Sequence, residues 1–177
     1  VLIKDESLLE HAVPVSPVMT VQGGSALSSI TKNGGIGISI AAVMRPCEIR
    51  AAIEIFKLKQ LNLEDITLIS YDCPGAVPLM DFMKNPSEKE KSFHEIRQKW
   101  ENSDLLRPVC QMCTQFSLIS ESRFSADLHI GHIGETGSEI LLIPQSPKGK
   151  ELIEEYKSAP QNSQKDWEST VKSFQKI

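Results

Sequence analysis

The stretch IGISIAAVM-RPCEIRAAIEIFKLKQLNLED-ITLISY-DCPG, residues 36–75, decides the fold. Residues 36–44 are a short apolar run without helical alternation, the pattern of a strand buried on both faces. Arg45-Pro46 ends it. A helical period follows, with Ile49, Ala52, Ile53 and Phe56 on one face and Arg50, Glu54 and Lys57 away from it. Residues 66–71 form a second buried strand that stops at Asp72-Cys73-Pro74-Gly75. Strand, helix and strand in this order make a βαβ unit, which predicts parallel pairing and a right-handed crossover. The fold class is therefore α/β, with a mainly parallel sheet.

Working outward, residues 1–35 read as an irregular lead-in with an edge strand near residues 13–21. Within it a short helix is expected over residues 25–30, and Asn33-Gly34-Gly35 is a turn signal. After the βαβ unit come a short helix over 77–84 and a charged surface helix over 86–102, where Ser87 and Glu90 have capping-box spacing. Residues 105–116 form a loop with two cysteines. Residues 126–133 and 139–144 read as strands of a hairpin joined through Gly134 to Gly137. A helix over 146–156 has Pro147 in its first turn. The α/β domain thus spans 36–158, and 159–177 is a polar tail helix. In that tail Trp167, Val171 and Phe174 share one helical face, which needs either this domain's own surface or a partner to pack on.

Composition narrows the function. The chain has 177 residues, 40% hydrophobic and 24% charged, with a formal net charge of -4. This mild acidity lacks the footprint of a nucleic-acid binder. No apolar run approaches the length of a membrane helix, so no membrane insertion is expected. No signal peptide is read at the start, and the expected compartment is the reducing cytoplasm, where paired cysteines are metal ligands or redox groups rather than disulfides.

The four cysteines carry the chemistry. They are Cys47, Cys73, Cys110 and Cys113. The last two form C-x2-C, which lets one loop offer two thiolates to a metal centre. Cys47 and Cys73 each follow a strand of the βαβ unit, and parallel strands place their carboxyl ends on one sheet edge, where open α/β sheets bind ligands. All four are thus expected to share one metal centre at that edge. All-sulfur ligation suits zinc or an iron–sulfur cluster. The helix start at Cys47 is expected to favour thiolate. Arg45 and Arg107, each before a proline close to a cysteine, are placed to offset the thiolate charge. Pro46, Pro74 and Pro108 stiffen the loops and Gly75 allows close approach. His129 and His132, spaced x2, fall short of zinc-finger spacing and are expected to pack or hydrogen-bond locally. Glu48 and Asp72 are expected to serve helix-terminal and loop hydrogen bonding.

Taken together, Arg45-Pro46-Cys47-Glu48-Ile49-Arg50-Ala51, Asp72-Cys73-Pro74-Gly75, Cys110-x-x-Cys113 and Ala126-Asp127-Leu128-His129-Ile130-Gly131 resemble the iron–sulfur flavoprotein family of beta subunits of coenzyme F-420 hydrogenases and dehydrogenases. The trailing ILLIPQSPKGKEL, residues 140–152, fits the same pattern. The resemblance covers about residues 36–153. It implies a 4Fe–4S cluster on Cys47, Cys73, Cys110 and Cys113 and an electron-transfer role in an oxidoreductase complex with other redox subunits. It also implies FAD as a companion cofactor, for which Gly23-Gly24-Ser25 ahead of a helix is the candidate phosphate cradle. The stretch from Gly24 to Cys47 is shorter than the family's flavin region, so the isolated chain is expected to bind flavin weakly or not at all. The alternative is a non-enzymatic interaction domain closed by a four-cysteine zinc site.

Overall fold

The computed structural model describes residues 2–34, 37–119, 126–133, 140–154 and 162–174, and the side chains of the last segment from Asp166 onward. The hairpin connection, the start of the first expected strand and the ends of the last two expected helices lie outside these residues.

Among the described residues, four strands form one sheet in sequence order: β1 (Ile40–Met44), β2 (Ile66–Tyr71), β3 (Leu128–Gly131) and β4 (Leu141–Pro144). β1 and β2 pair in parallel from Ile40↔Ile66 to Met44↔Ser70. β3 also runs parallel to β2, and β4 returns antiparallel to it. The α/β class, the parallel unit and the antiparallel strand pair therefore match expectation. β1 does not: Ala41 and Val43 are exposed while Ala42 and Met44 are buried. It is an edge strand covered on one face by helices α1 (Gly23–Thr31) and α2 (Pro46–Lys57), so its apolar run is longer than its burial requires.

Ile49 and Ala52 of α2 are fully buried against Leu27 of α1 and Leu68 of β2, whereas Phe56 lies near the surface. α1 belongs to this core, so the lead-in is not separate from the domain. No strand forms over residues 13–21. Pro14 and Pro17 have no N–H for a ladder, and the carbonyls of Ser16 and Val18 accept from the Arg45 guanidinium while that of Pro17 accepts from the Val77 N–H. A 3-10 turn at Glu6–His11 precedes this segment.

Between β2 and β3 come α3 (Leu79–Lys84), α4 (Pro86–Lys99) and the one-turn α5 (Pro108–Gln111). Asn85, not Ser87, is the N-cap of α4, because Pro86 starts the helix two residues earlier than a Ser87 cap allows. Trp100 closes it at φ 54°, a left-handed conformation that a non-glycine residue rarely takes. After β4, α6 (Pro147–Leu152) is capped by Ser146, whose hydroxyl accepts the Gly149 N–H. The tail helix α7 (Asn162–Phe174) packs on the domain itself, with Trp167 and Val171 buried against Ile133, Leu141 and Ile143.

Candidate functional site

The carboxyl ends of β1 and β2 meet at one edge, and the loops that follow carry the cysteines. Cys47 is the second residue of α2, Cys73 lies two residues beyond the last residue of β2, and Cys110 and Cys113 frame the end of α5. All four thiols line one cavity of about 600 Å³, together with Arg45, Arg50, Arg107, Trp100, Phe116 and Phe174. Cys47 is exposed and the other three are half-buried; none is in a disulfide. Val109 and Met112, both exposed, sit at the rim. Among the described residues, no three side chains of the metal-ligating types converge closely enough to hold a single ion.

Backbone bonds tie the three loops together. The Cys73 N–H donates to Phe116 O at 2.8 Å, and the Arg107 N–H donates to Ala76 O at 2.8 Å. Arg50 of α2 reaches Gln115 O at 3.2 Å. Gly75 has φ +104°, and a Cβ there would stand 3.3 Å from Cys110 Cβ, so glycine permits both the turn and the close passage. Three segments far apart in sequence are thus held as one rim.

The arginines differ. Arg45 is 7% exposed. Its Nη2 donates to Ser16 O at 2.7 Å, its Nη1 lies 3.8 Å from Glu48 Oε2, and its Nε has no partner among the described residues. Arg45 lines the cavity that the four thiols share. Arg107 is less buried and caps α5 through its backbone. The buried Glu48 carboxylate clamps two helix starts at once: Oε1 accepts the Gly23 N–H at 2.7 Å and Oε2 the Arg45 N–H at 3.0 Å.

This clamp explains the Gly23-Gly24-Ser25 motif differently from a phosphate cradle. The N–H groups of Gly23 and Ser25 are already taken, by Glu48 and by the Gln22 side chain. A Cβ on Gly23 would meet Met44 Sδ at 2.6 Å, and one on Gly24 would meet the Ala52 N at 2.9 Å. The glycines let α1 lie close on α2, and none of the three residues lines the thiol cavity.

The expected thiolate character of the helix start is also corrected. Cys47 is exposed at the cavity mouth, yet partial desolvation by the surrounding loops still pushes its thiol above its ordinary pKa, with Glu48 adding to the rise and Arg45 opposing it. Burial pushes Cys73 up to about 12, again against Arg45. Without a metal these two are thiols, and a bound cation is what would displace their protons.

Behind Cys73 lies a polar hub that the sequence only hinted at. Asp72 is 0% exposed. Its Oδ1 accepts from the Ser117 hydroxyl and from His129 Nε2, the latter at 3.0 Å. Its Oδ2 accepts from the N–H groups of His132 and Ile133, at 2.8 and 3.1 Å, and from Trp167 Nε1 at 2.8 Å. Burial pushes the Asp72 carboxyl up, but the His129 contact and the bonds from Ser117 and Trp167 outweigh it and hold it below the ordinary value. His129 carries its proton on Nε2, because a carboxylate needs a donor there; its Nδ1 has no partner among the described residues. Both histidines do hydrogen-bond, but to Asp72, 57 and 60 positions earlier in the chain, rather than locally as expected. Position 72, beside a ligand-type cysteine at a strand end, was the available signal; Trp167, 95 positions on, had none.

His132 links the hub to solvent pH. Its Nε2 bonds the Asp72 carbonyl at 2.9 Å, and its ring lies 5.1 Å from that of Trp100, tilted by 43°. Burial pushes its pKa below 6.5, against the pull of Asp72. The unfolded chain therefore takes up a proton that the folded one refuses. Stability from this group is complete above about pH 6.5 and declines below it; the Asp72 share follows only as pH falls below about 3.8. A melting temperature level between pH 8 and 7 and falling from 6.5 to 5 is expected, and His132→Gln should flatten that fall. An unchanged profile in the variant would remove His132 from the account.

The fold and this site define a class: an α/β protein with four thiols gathered from three loops around one cavity at the carboxyl edge of a mostly parallel sheet. The chain is similar to the F420-dependent formate dehydrogenase 1 subunit beta of Methanococcus maripaludis, at 33% identity over 94 residues. That bears out the resemblance to the beta subunits of coenzyme F-420 hydrogenases and dehydrogenases. The matched stretch is 53% of this chain, and 22% of the length of that relative. No family model matches the chain. Among the described residues, no helix is long and apolar enough to cross a membrane.

Proposed function

We propose that this chain is an electron-transfer domain of an oxidoreductase complex, with Cys47, Cys73, Cys110 and Cys113 holding one 4Fe–4S cluster. One observation carries the reading: all four cysteines of the chain, from three separate loops, line a single cavity beside a buried arginine with a spare N–H. The similarity to a formate dehydrogenase beta subunit supports it. When bound, such a cluster supplies one-electron relay. The chain's own residues do the rest. Backbone bonds among Cys73, Phe116, Ala76 and Arg107 keep the loops from spreading. Arg45, fixed by carbonyls at the back of the site, places positive charge and a donor against the sulfurs, which raises the reduction potential. Phe116, Phe174 and Trp100 give the site an apolar wall.

The partners in this reading are other redox subunits. FAD, implied by the family resemblance, is not assigned to Gly23, Gly24 or Ser25.

Reconstitution with iron and sulfide under anaerobic conditions tests the proposal. The wild-type chain should turn brown and bind about four irons. Cys47→Ser, Cys73→Ser, Cys110→Ser and Cys113→Ser should each lose most of that iron and the visible band. A chain that takes up zinc stoichiometrically and no iron would overturn the reading in favour of the interaction domain.

A further inference from the structure

We propose that Trp167 is a positioning residue for the thiol edge: its indole N–H, acting through the Asp72 carboxylate, fixes Cys73, so that α7 and the thiol centre form one coupled unit. The cluster-dependent half of this rests on the reading above; the coupling of Trp167 to Cys73 does not.

Asp72 immediately precedes Cys73, so whatever orients the Asp72 side chain also sets the direction in which the chain leaves β2. Its backbone is still on the sheet, with its N–H on Ile130 O at 3.1 Å. Four of the five donors on its carboxylate come from segments next to the sheet edge: Ser117, His129, His132 and Ile133. The fifth is the Trp167 indole, from an element 95 positions away. Packing alone does not call for that donor. Val171, four residues on and 0% exposed, fills the same core with a plain apolar side chain.

The sheet is shaped to admit the indole. A Cβ on Gly131 of β3 would stand 2.7 Å from Trp167 Nε1 and 2.9 Å from Cε2. Only glycine lets the ring lie on β3 with its N–H against Asp72. A second contact on the same helix reaches the site independently, since Phe174 of α7 lines the thiol cavity. The helix therefore grips the centre twice, once behind Cys73 and once at the cavity wall. Undocking α7 would strip a donor from a buried carboxylate and open the wall in one movement. The reactivity of Cys73 is then set partly by a helix that holds no cysteine.

The test compares Trp167→Phe with Val171→Ala in the full chain. Phenylalanine keeps the ring and the helix but loses the N–H; alanine at 171 weakens packing and leaves the N–H. Two readouts are taken. In the reduced, metal-free chain, alkylation of Cys73 by iodoacetamide is measured by mass spectrometry relative to Cys47 in the same molecule. In the iron-reconstituted chain, the electron paramagnetic resonance spectrum of the reduced cluster is recorded. Both variants lower the melting temperature. Trp167→Phe is expected to raise the Cys73 to Cys47 alkylation ratio at least threefold and to change the spectrum. Val171→Ala is expected to keep both at wild-type values, and Gly131→Ala should behave as Trp167→Phe does. If Trp167→Phe leaves the ratio at the wild-type value, or if Val171→Ala changes it as much, the coupling is wrong and Trp167 is a packing residue. If the wild-type chain takes up no iron, the cluster reading fails, while the alkylation ratio still decides the coupling.

Discussion

Gly149→Ala is expected to destabilise the protein by about 3 kcal/mol or more, as forced overpacking in a dense core does. Gly149 is buried in α6, and a Cβ there would lie 1.8 Å from the Asp127 carbonyl oxygen and 2.7 Å from its carbonyl carbon. Both are backbone atoms with no rotamer to escape through. Asp127 has little freedom to withdraw. Its Oδ2 holds the Leu68 N–H at 2.8 Å, its Oδ1 accepts the Ser146 hydroxyl at 2.7 Å, and its carbonyl accepts the Gln145 N–H at 2.9 Å. The helix-propensity gain of alanine, at most about 1 kcal/mol, is too small to compensate. For a chain of this length the loss corresponds to roughly 6–12 °C in melting temperature. Gly34→Ala is the control. That glycine has φ +115° with nothing within 4 Å of an added Cβ, so it should cost only about 1 kcal/mol from backbone strain. Equal melting temperatures for the two variants would show that α6 does not sit so close to the Asp127 backbone.

Asp72→Ala is the second large effect. It removes the acceptor of five donors at once, in a site that excludes water. Each buried donor left unpaired costs about 1–3 kcal/mol, tempered by relaxation, and losing one member of a buried charged network typically costs about 3–5 kcal/mol. A loss near the top of that range is expected by denaturant titration. Asp72→Asn should lose less, because its carbonyl oxygen still accepts on one side while its NH2 opposes donors on the other. A change under about 0.5 kcal/mol, the level of a neutral surface substitution, would rule out the hub.

The βαβ unit was legible because both of its strands are short apolar runs bounded by Arg-Pro and Asp-Cys-Pro-Gly, and because a clean helical period lies between them. The gathering of Cys47 and Cys73 at one edge follows from parallel pairing alone. Cys110 and Cys113 were placed by their spacing, and the structure sets them on the same cavity. The failures have local causes. Residues 13–21 look like an edge strand, but two prolines withhold the N–H groups a ladder needs, and the free carbonyls serve Arg45 and Val77. The double glycine before α1 looks like an anion cradle. Its small size serves instead to bring α1 onto Met44 and Ala52, while Glu48, 25 positions later, takes the Gly23 N–H. Nothing in the sequence pattern of α7 tells an indole that merely fills space from one that donates to Asp72.

The carbonyls of residues 16–18 also decide where the unit could be cut for transplantation. Arg45 and Val77 both lean on that proline-containing segment, and Glu48 leans on the helix after it. An excised fragment starting at β1 would keep every cysteine and every strand among the described residues. It would nonetheless release the arginine at the back of the cavity and bare the face of α2 that holds Ile49 and Ala52. The smallest portable unit therefore begins ahead of Ser16, well before the first strand, and ends after Phe174.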